Sequence, residues 1–256
     1  MSSTTEGPTM QIGIIGAGSI GTILARRLAR AGHDVSVANS RAPETVNAAA
    51  LSTGATAVWA ADAAAAAGVV IVSVNLGQIP SVADLVAAAP ADAVIIDTSN
   101  YFPHRDGVIE GLGQGQTESL WVQRQYRRPL VKAWNTITTA SFADRSTEPG
   151  TPGRIALPVA ADDDRQRAVG MELVEQTGFT AFDAGVIADS WRQQPGTPAY
   201  TTDLTVEELP AALAKADAHA AARRRDLMIQ IYDERTQTEG SLPGPDFQLA
   251  LTRALF

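Results

Sequence analysis

The stretch QIGIIGAGSIG, from Gln11 to Gly21, restricts the fold of this chain more than any other. QIGII has the length and apolar character of a short buried strand. It runs straight into Gly16-Ala17-Gly18-Ser19-Ile20-Gly21, a GxGxxG turn. A helix follows from Ser19 to about Ala31, with Ile20, Ile23, Leu24 and Leu28 on one face, and Gly32 stops it. Each glycine has a separate physical task. Gly16 allows the tight turn from strand to helix, Gly18 lets the backbone approach a pyrophosphate, and Gly21 lets the helix lie close to the sheet. The unspent N–H groups and the dipole at the helix start hold diphosphate charge.

The pattern repeats downstream. DVSVAN (Asp34–Asn39) alternates as a second strand, and a helix is expected after Pro43, closed by Gly54. Residues 55–58 read as a weak third strand and 62–67 as an alanine-rich helix. GVVIVSVN, ending near Asn75, reads as strand four, 79–88 as a helix, and AVIIDTSN (Ala93–Asn100) as strand five. Continuous apolar strands separated by helices specify an α/β class, a Rossmann doubly wound parallel sheet buried between helix layers. A loop over 101–115, a helix over Glu118–Tyr126 and a sixth strand over Leu130–Trp134 complete a unit spanning 10–150. The composition then shifts to RSTEPGTPG before Gly153, the candidate hinge.

A second, smaller α/β domain and a tail are expected over 151–256. They comprise a strand at 154–159, a helix ending at Thr177, a strand at Phe179–Phe182 and an exposed loop at 185–203. A long helix at 206–232 and the apolar end FQLALTRALF follow. Met1–Thr9 is polar and reads as a disordered arm.

Composition excludes whole classes. Twenty Lys and Arg against 28 Asp and Glu give a net charge of −8, which repels nucleic acid and anionic membranes. The absence of cysteine removes disulfides, thiolate nucleophiles and Cys-based metal sites. The three histidines, His33, His104 and His219, are too scattered for a local metal motif. Without a long apolar run or a signal-like start, the expected location is the cytoplasm.

The residues after strand two select the cofactor. A carboxylate there would bond a ribose 2′-hydroxyl, but this chain has Asn39-Ser40-Arg41. Ser40 can donate one hydrogen bond to a 2′-phosphate and Arg41 a charge-assisted fork, so NADP(H) is expected over NAD. The plainer alternative leaves Arg41 as a solvated surface residue. Val74-Asn75-Leu76 and Thr98-Ser99-Asn100 end strands on the same crevice, where they line the nicotinamide ribose or simply form turns.

Four segments carry a family resemblance: GIIGAGSIG (13–21) with ANSR (38–41), VKAWNTI (131–137), LPVAADD (157–163) and FDAGVIADSWRQQPGTP (182–198). Through them the chain, up to about residue 215, resembles the coenzyme F420-dependent NADP oxidoreductases. That resemblance implies an N-terminal domain carrying NADP, a small C-terminal α/β domain, an acceptor site between them, and a homodimer. In such enzymes the deazaflavin F420 lies over the nicotinamide, so hydride passes between two aligned rings.

Residue candidates for the acceptor side follow from chemistry. Trp191 can stack on a flat ring, Arg192 can neutralise an anion, and Ser190 sits beside them in a Gly- and Pro-bracketed loop. The alternative is that Trp191 caps a core and Arg192 pairs with an acid. Asn135 can orient substrate or nicotinamide, Lys132 can act as an acid or clamp, and His104 can move a proton near neutral pH. Lys132 and His104 also have structural alternatives, a strand-edge lysine and a solvent-exposed loop histidine. The expected function is an NADPH-dependent oxidoreductase whose small-molecule acceptor is F420 or a carbonyl or imine compound. A non-catalytic NADP(H)-binding regulatory protein is the second reading. A β-hydroxyacid-dehydrogenase-like chain would need a larger, mostly helical second domain than the strand-containing one here.

Overall fold

The computed structural model describes residues 8–113, 116–241 and 243–256, so most of the expected N-terminal arm lies outside the described residues. The apolar runs form β1 (Gln11–Ile15), β2 (Asp34–Ala38), β3 (Thr56–Ala57), β4 (Val69–Val72), β5 (Val94–Asp97), β6 (Val131–Lys132), β7 (Ala156–Ala161) and β8 (Thr180–Asp183). They make one eight-stranded sheet in the order β3-β2-β1-β4-β5-β6-β7-β8. The pairs are parallel except β6 with β7. Every residue of β4 and β5 is buried, because helices cover both faces. The chain therefore adopts the Rossmann-like α/β class read from its sequence. β1 lies between β2 and β4, and this reversal of strand order opens a crevice at the strand ends.

The helices are α1 (Ser19–Arg30), α2 (Ala48–Leu51), α3 (Ala60–Ala65), α4 (Ile79–Ala87), α5 (Pro103–Asp106), α6 (Glu118–Tyr126), α7 (Thr139–Asp144), α8 (Asp164–Gln176), α9 (Leu209–Ala214), α10 (Ala218–Glu239) and α11 (Pro245–Ala254). Alternate strand residues feed opposite cores. Ile12, Ile14, Val35 and Ile71 join Leu24 and Leu28 of α1 on one face, and Ile15, Val70, Val72 and Ile95 join Val86 and Tyr126 on the other. None of the described helices is long and apolar enough to cross a membrane.

The chain after residue 150 starts strand–helix–strand, as expected, and both strands extend the first sheet. Two arginines fasten the segment between. Arg27 of α1 donates to the carbonyls of Thr177 and Phe142, each at 2.7 Å, and buried Arg154 donates to Thr147 O at 2.5 Å and Phe179 O at 2.9 Å. His33 Nδ1 accepts the Met10 amide, so Nε2 carries the proton and donates to Gln176 Oε1 at 2.5 Å, a structural role.

Several expected elements are corrected. After Pro43 there is only a 3₁₀ turn and the four-residue α2 instead of one helix. The helix expected over 206–232 is two: α9 ends at Ala214, and α10 starts afresh where the Asp217 side chain accepts the His219 and Ala220 amides. The segment 185–203 is not an exposed loop. It holds a 3₁₀ helix, Ile187–Gln193, and Gln193 to Thr202 are buried throughout. α5 and α7 were not expected, and the apolar end forms α11.

Candidate functional site

The strand ends at the reversal of order border a cleft of about 840 Å³. Its wall includes Gly16, Ala17 and Gly18 from the first turn, Asn39, Ser40 and Arg41 after β2, and Ser73, Val74 and Asn75 after β4. Trp59 and Ala60 after β3, and Ser81, Val82 and Leu85 of α4, complete much of it.

The three glycines separate physically. A Cβ on Gly16 would lie 2.2 Å from Ser73 O, and Gly16 has a φ of 109°, so this turn needs glycine. A Cβ on Gly21 would lie 1.9 Å from Gly16 O, so α1 could not seat with any side chain there. Gly18 is different. Its backbone is extended (φ −73°, ψ −168°), and an added Cβ would meet nothing within 4 Å. Neither backbone angle nor packing within the chain requires glycine at 18, and the space over it is open. Gly18 is also the N-cap of α1, where no side chain caps the helix and no acidic residue occupies the first turn. The leading N–H groups at Ser19 and Ile20 therefore await an acceptor.

The loop after β2 is preformed. Asn39 Oδ1 accepts the Arg41 amide at 2.8 Å, and Asn39 Nδ2 donates to Thr45 Oγ1 at 2.9 Å, whose hydroxyl donates to Ala42 O. Asn39 is thus spent on shaping the turn, leaving Ser40 and Arg41 exposed in the cleft. Among the described residues nothing pairs with the Arg41 guanidinium, and Arg41 is the only charged residue lining the cleft. A local cation set in an otherwise uncharged wall admits a phosphate despite the net charge of −8.

Beyond β4 the wall becomes polar and rigid. Asn75 is exposed in the cleft, but Leu76 is fully buried in the core, so its side chain does not line the cleft. Asp106 of α5 fastens this loop by accepting the amides of Gly77 at 3.2 Å and Phe102 at 2.9 Å. Burial opposes its charge, yet Arg105 and these amides hold its carboxyl below the usual range. Thr98 is half-buried. Asn100 and Asn135, at the ends of β5 and β6, bond each other: Asn100 Nδ2 donates to Asn135 O at 2.8 Å and Asn135 Nδ2 to Asn100 Oδ1 at 3.1 Å. Asn135 also donates to Gln193 O and accepts from Gln193 Nε2. Its amide is committed to protein, and the preceding residue, buried Trp134, has a φ of 56°. That left-handed backbone is unusual for a bulky residue and turns the chain off β6.

Lys132 is fully buried. Its ammonium donates to Asp97 Oδ2 at 2.6 Å and to the Ser99 carbonyl, while Ser99 Oγ donates to the same Asp97 oxygen at 3.0 Å. Beside this pair lies Glu118, buried at the start of α6, whose carboxylate accepts the Tyr101 amide at 3.1 Å. Burial pushes its carboxyl up to about 7, against the pull of Lys132, the Tyr101 amide and Arg225, with Asp97 adding to the rise. Burial, reinforced by Glu118, likewise raises the Tyr200 phenol.

The remaining candidates fall elsewhere. His104 stands exposed on α5 with its ring edge-on to Phe102. Ser190 is buried and bonds Ser119 Oγ at 2.9 Å. Arg192 stacks over the Trp191 ring at 4.4 Å and lines a separate pocket with Phe182, Asp189 and Leu213. That pocket shares no lining residue with the cleft. Residue chemistry missed Trp59, whose position just past β3 was its available signal, and Glu118, whose environment is assembled by distant residues.

Fold and cleft together define a Rossmann-type α/β architecture with an open cleft where the strand order reverses. Over residues 11–101 the chain matches the family of NADP oxidoreductases described as coenzyme F420-dependent, which bears out the resemblance over that segment. Among solved structures, a hypothetical protein of Sinorhizobium meliloti is 29% identical with a TM-score of 0.64, covering 77% of this chain and 96% of that one. A protein of Arthrobacter sp. FB24, provisionally assigned as an F420-dependent NADP-reductase, is 18% identical with a TM-score of 0.58, covering 91% and 96%. At that identity the likeness speaks for the fold alone. The protein YjhV of Escherichia coli (strain K12) is 50% identical over 54 residues, which is 21% of this chain and 39% of YjhV. The chain thus matches well under half the length of that curated relative.

Proposed function

We propose that this protein is an NADP(H)-dependent oxidoreductase, moving hydride between the nicotinamide and a small or flat acceptor. The observation that carries the reading is Gly18, a glycine that neither backbone angle nor packing demands, set at an uncapped helix start in an open cleft. A cofactor diphosphate fits that space and the waiting N–H groups.

In this reading residues 10–150 hold the cofactor. The α1 start binds the diphosphate, Ser40 and Arg41 bind the 2′-phosphate, and the Val74–Asn75 turn lines the nicotinamide ribose. NADPH, when bound, would supply a hydride (one proton with two electrons) and leave as NADP+, with solvent supplying the proton that completes reduction of the acceptor. Residues 151–256 brace the acceptor side: Gln193 holds Asn135, which holds Asn100, and Gln194 Oε1 accepts the Glu118 amide at 2.8 Å. Such bracing fixes the β5 and β6 ends, so that two reactants can be held in one alignment. F420 is the acceptor that the family match favours, with carbonyl and imine compounds next. We further propose a cytoplasmic homodimer, for which the exposed Leu227 and Phe256 of the C-terminal helical region offer apolar surface.

The second reading, an NADP(H)-binding regulator without turnover, draws on the same asparagines, since Asn100 and Asn135 spend their side chains on protein. Loss of NADPH absorbance decides between them. Oxidation of NADPH on adding F420, or one of a panel of carbonyl and imine compounds, is the expected result. Tight NADPH binding with no oxidation by any of them would overturn the enzymatic reading and leave the regulator.

A further inference from the structure

We infer that Trp59 is the stacking wall for the adenine of the cofactor, acting with Arg41 to recognise a purine nucleoside that carries a 2′-phosphate. The inference rests on the NADP(H) reading and extends it to a residue outside the glycine turn and the loop after β2.

Strand order fixes where each part of the ligand lies. The diphosphate sits at the β1 turn, so a molecule crossing the strand ends has one half over β4 and β5 and the other over β2 and β3. The 2′-phosphate partner Arg41 follows β2, which places the adenosine half on that side. Trp59 follows β3, the neighbour of β2, and the two strands run parallel, so both residues emerge at the same sheet edge. The amide of Val58, next to Trp59, donates to Val37 O at 3.1 Å, fixing the chain at that point.

The side chain itself is unusual. The Trp59 residue is 56% exposed, the indole lines the cleft, and among the described residues it has no hydrogen-bond, aromatic or cation partner. The same cleft wall carries apolar Ala60, Val82 and Leu85 as well as polar Thr45, Asn47, Gln78 and Ser81, a mixed lining that offers a base both apolar surface and hydrogen-bonding groups. A tryptophan has the largest π face of any side chain, and stacking a base on it is tolerant of base identity. Arg41 supplies what stacking lacks, a charge matched to the 2′-phosphate.

The test uses the whole protein and adenosine 2′,5′-bisphosphate, which contains the adenine and both ribose phosphates but no nicotinamide. Calorimetry of wild type, Trp59→Leu and Trp59→Phe is expected to show binding weakened roughly 10-fold or more by leucine and less by phenylalanine. Indole emission should be quenched by the bisphosphate in wild type and much less in Trp59→Phe. Because Trp59 is exposed, both variants should melt with wild type. Wild-type binding that Trp59→Leu leaves unchanged, with emission unaffected by ligand, would overturn the stacking role while leaving the cofactor reading intact. Wild type binding neither the bisphosphate nor NADPH would overturn that reading and this one with it.

Discussion

Lys132 shows how burial decides between chemistry and architecture. A lysine near a strand end could be a catalytic acid, but here its ammonium is fully buried against Asp97 and the Ser99 carbonyl. Replacing it with methionine keeps most of the volume and removes the charge. Asp97 then stays buried with the Ser99 hydroxyl bonding one oxygen, while its Oδ1 already has no partner among the described residues. Leaving one member of such a pair uncompensated costs about 3–5 kcal/mol. For a chain of this length each kcal/mol moves the melting temperature by about 2 °C, so Lys132→Met should melt roughly 6–10 °C lower. Adding Asp97→Leu removes the orphaned charge and should restore much of the loss. The assay is calorimetric melting of both variants, with NADPH affinity measured well below the transition. A Lys132→Met protein that melts with wild type and binds NADPH normally, yet has lost turnover, would refute the structural assignment and make Lys132 catalytic.

Other expectations follow from the same geometry. Arg41→Ala removes a charged hydrogen bond worth about 1.5–3 kcal/mol, so NADPH should bind roughly 10- to 100-fold more weakly while NADH is little affected, as a titration of each will show. Glu118 has a carboxyl raised from 4.5 to about 7, so between those values the folded state holds more proton than the unfolded one. Its contribution to stability is therefore full below pH 4.5 and is lost as pH rises through about 7, a change on the order of 3 kcal/mol. Glu118→Gln should flatten that part of the melting-temperature profile; an unchanged profile would remove Glu118 as its source. Gly21→Ala forces a Cβ onto Gly16 O and should destabilise by about 1–3 kcal/mol or more, visible as a lowered denaturation midpoint.

Where the sequence was legible, one local signal sufficed. The runs Ile12–Ile15, Val69–Val72 and Val94–Ile96 carry no polar side chain because helices cover both faces of their strands, and the turn at Gly16–Gly21 is set by contacts within a few residues and one neighbouring strand. Segment 185–203 was misleading for the opposite reason. Its Gly, Pro, Ser and Gln residues have the composition of a surface loop, yet Ser190 finds Ser119, Gln193 finds Asn135, and Gln194 finds the Glu118 amide. Those partners lie 58 to 76 residues away in sequence, so no local pattern records them. The Asp97–Lys132 pair was hidden likewise, since it depends on the register in which β5 meets β6. Within the segment 206–232, Asp217 is a good N-cap residue and marks where α10 begins.

The most direct test of the cofactor cleft is calorimetric titration of wild type and Gly18→Ala with NADPH and with NADH, alongside melting of the free proteins. An extra methyl at Gly18 meets no atom of the chain, so the variant should melt within about 1 °C of wild type, a shift of under roughly 0.5 kcal/mol. It should nevertheless lose most of its NADPH affinity, while wild type binds NADPH at least about 10-fold more tightly than NADH. Wild type that ignores both cofactors, or a Gly18→Ala protein that binds NADPH as wild type does, would contradict the account.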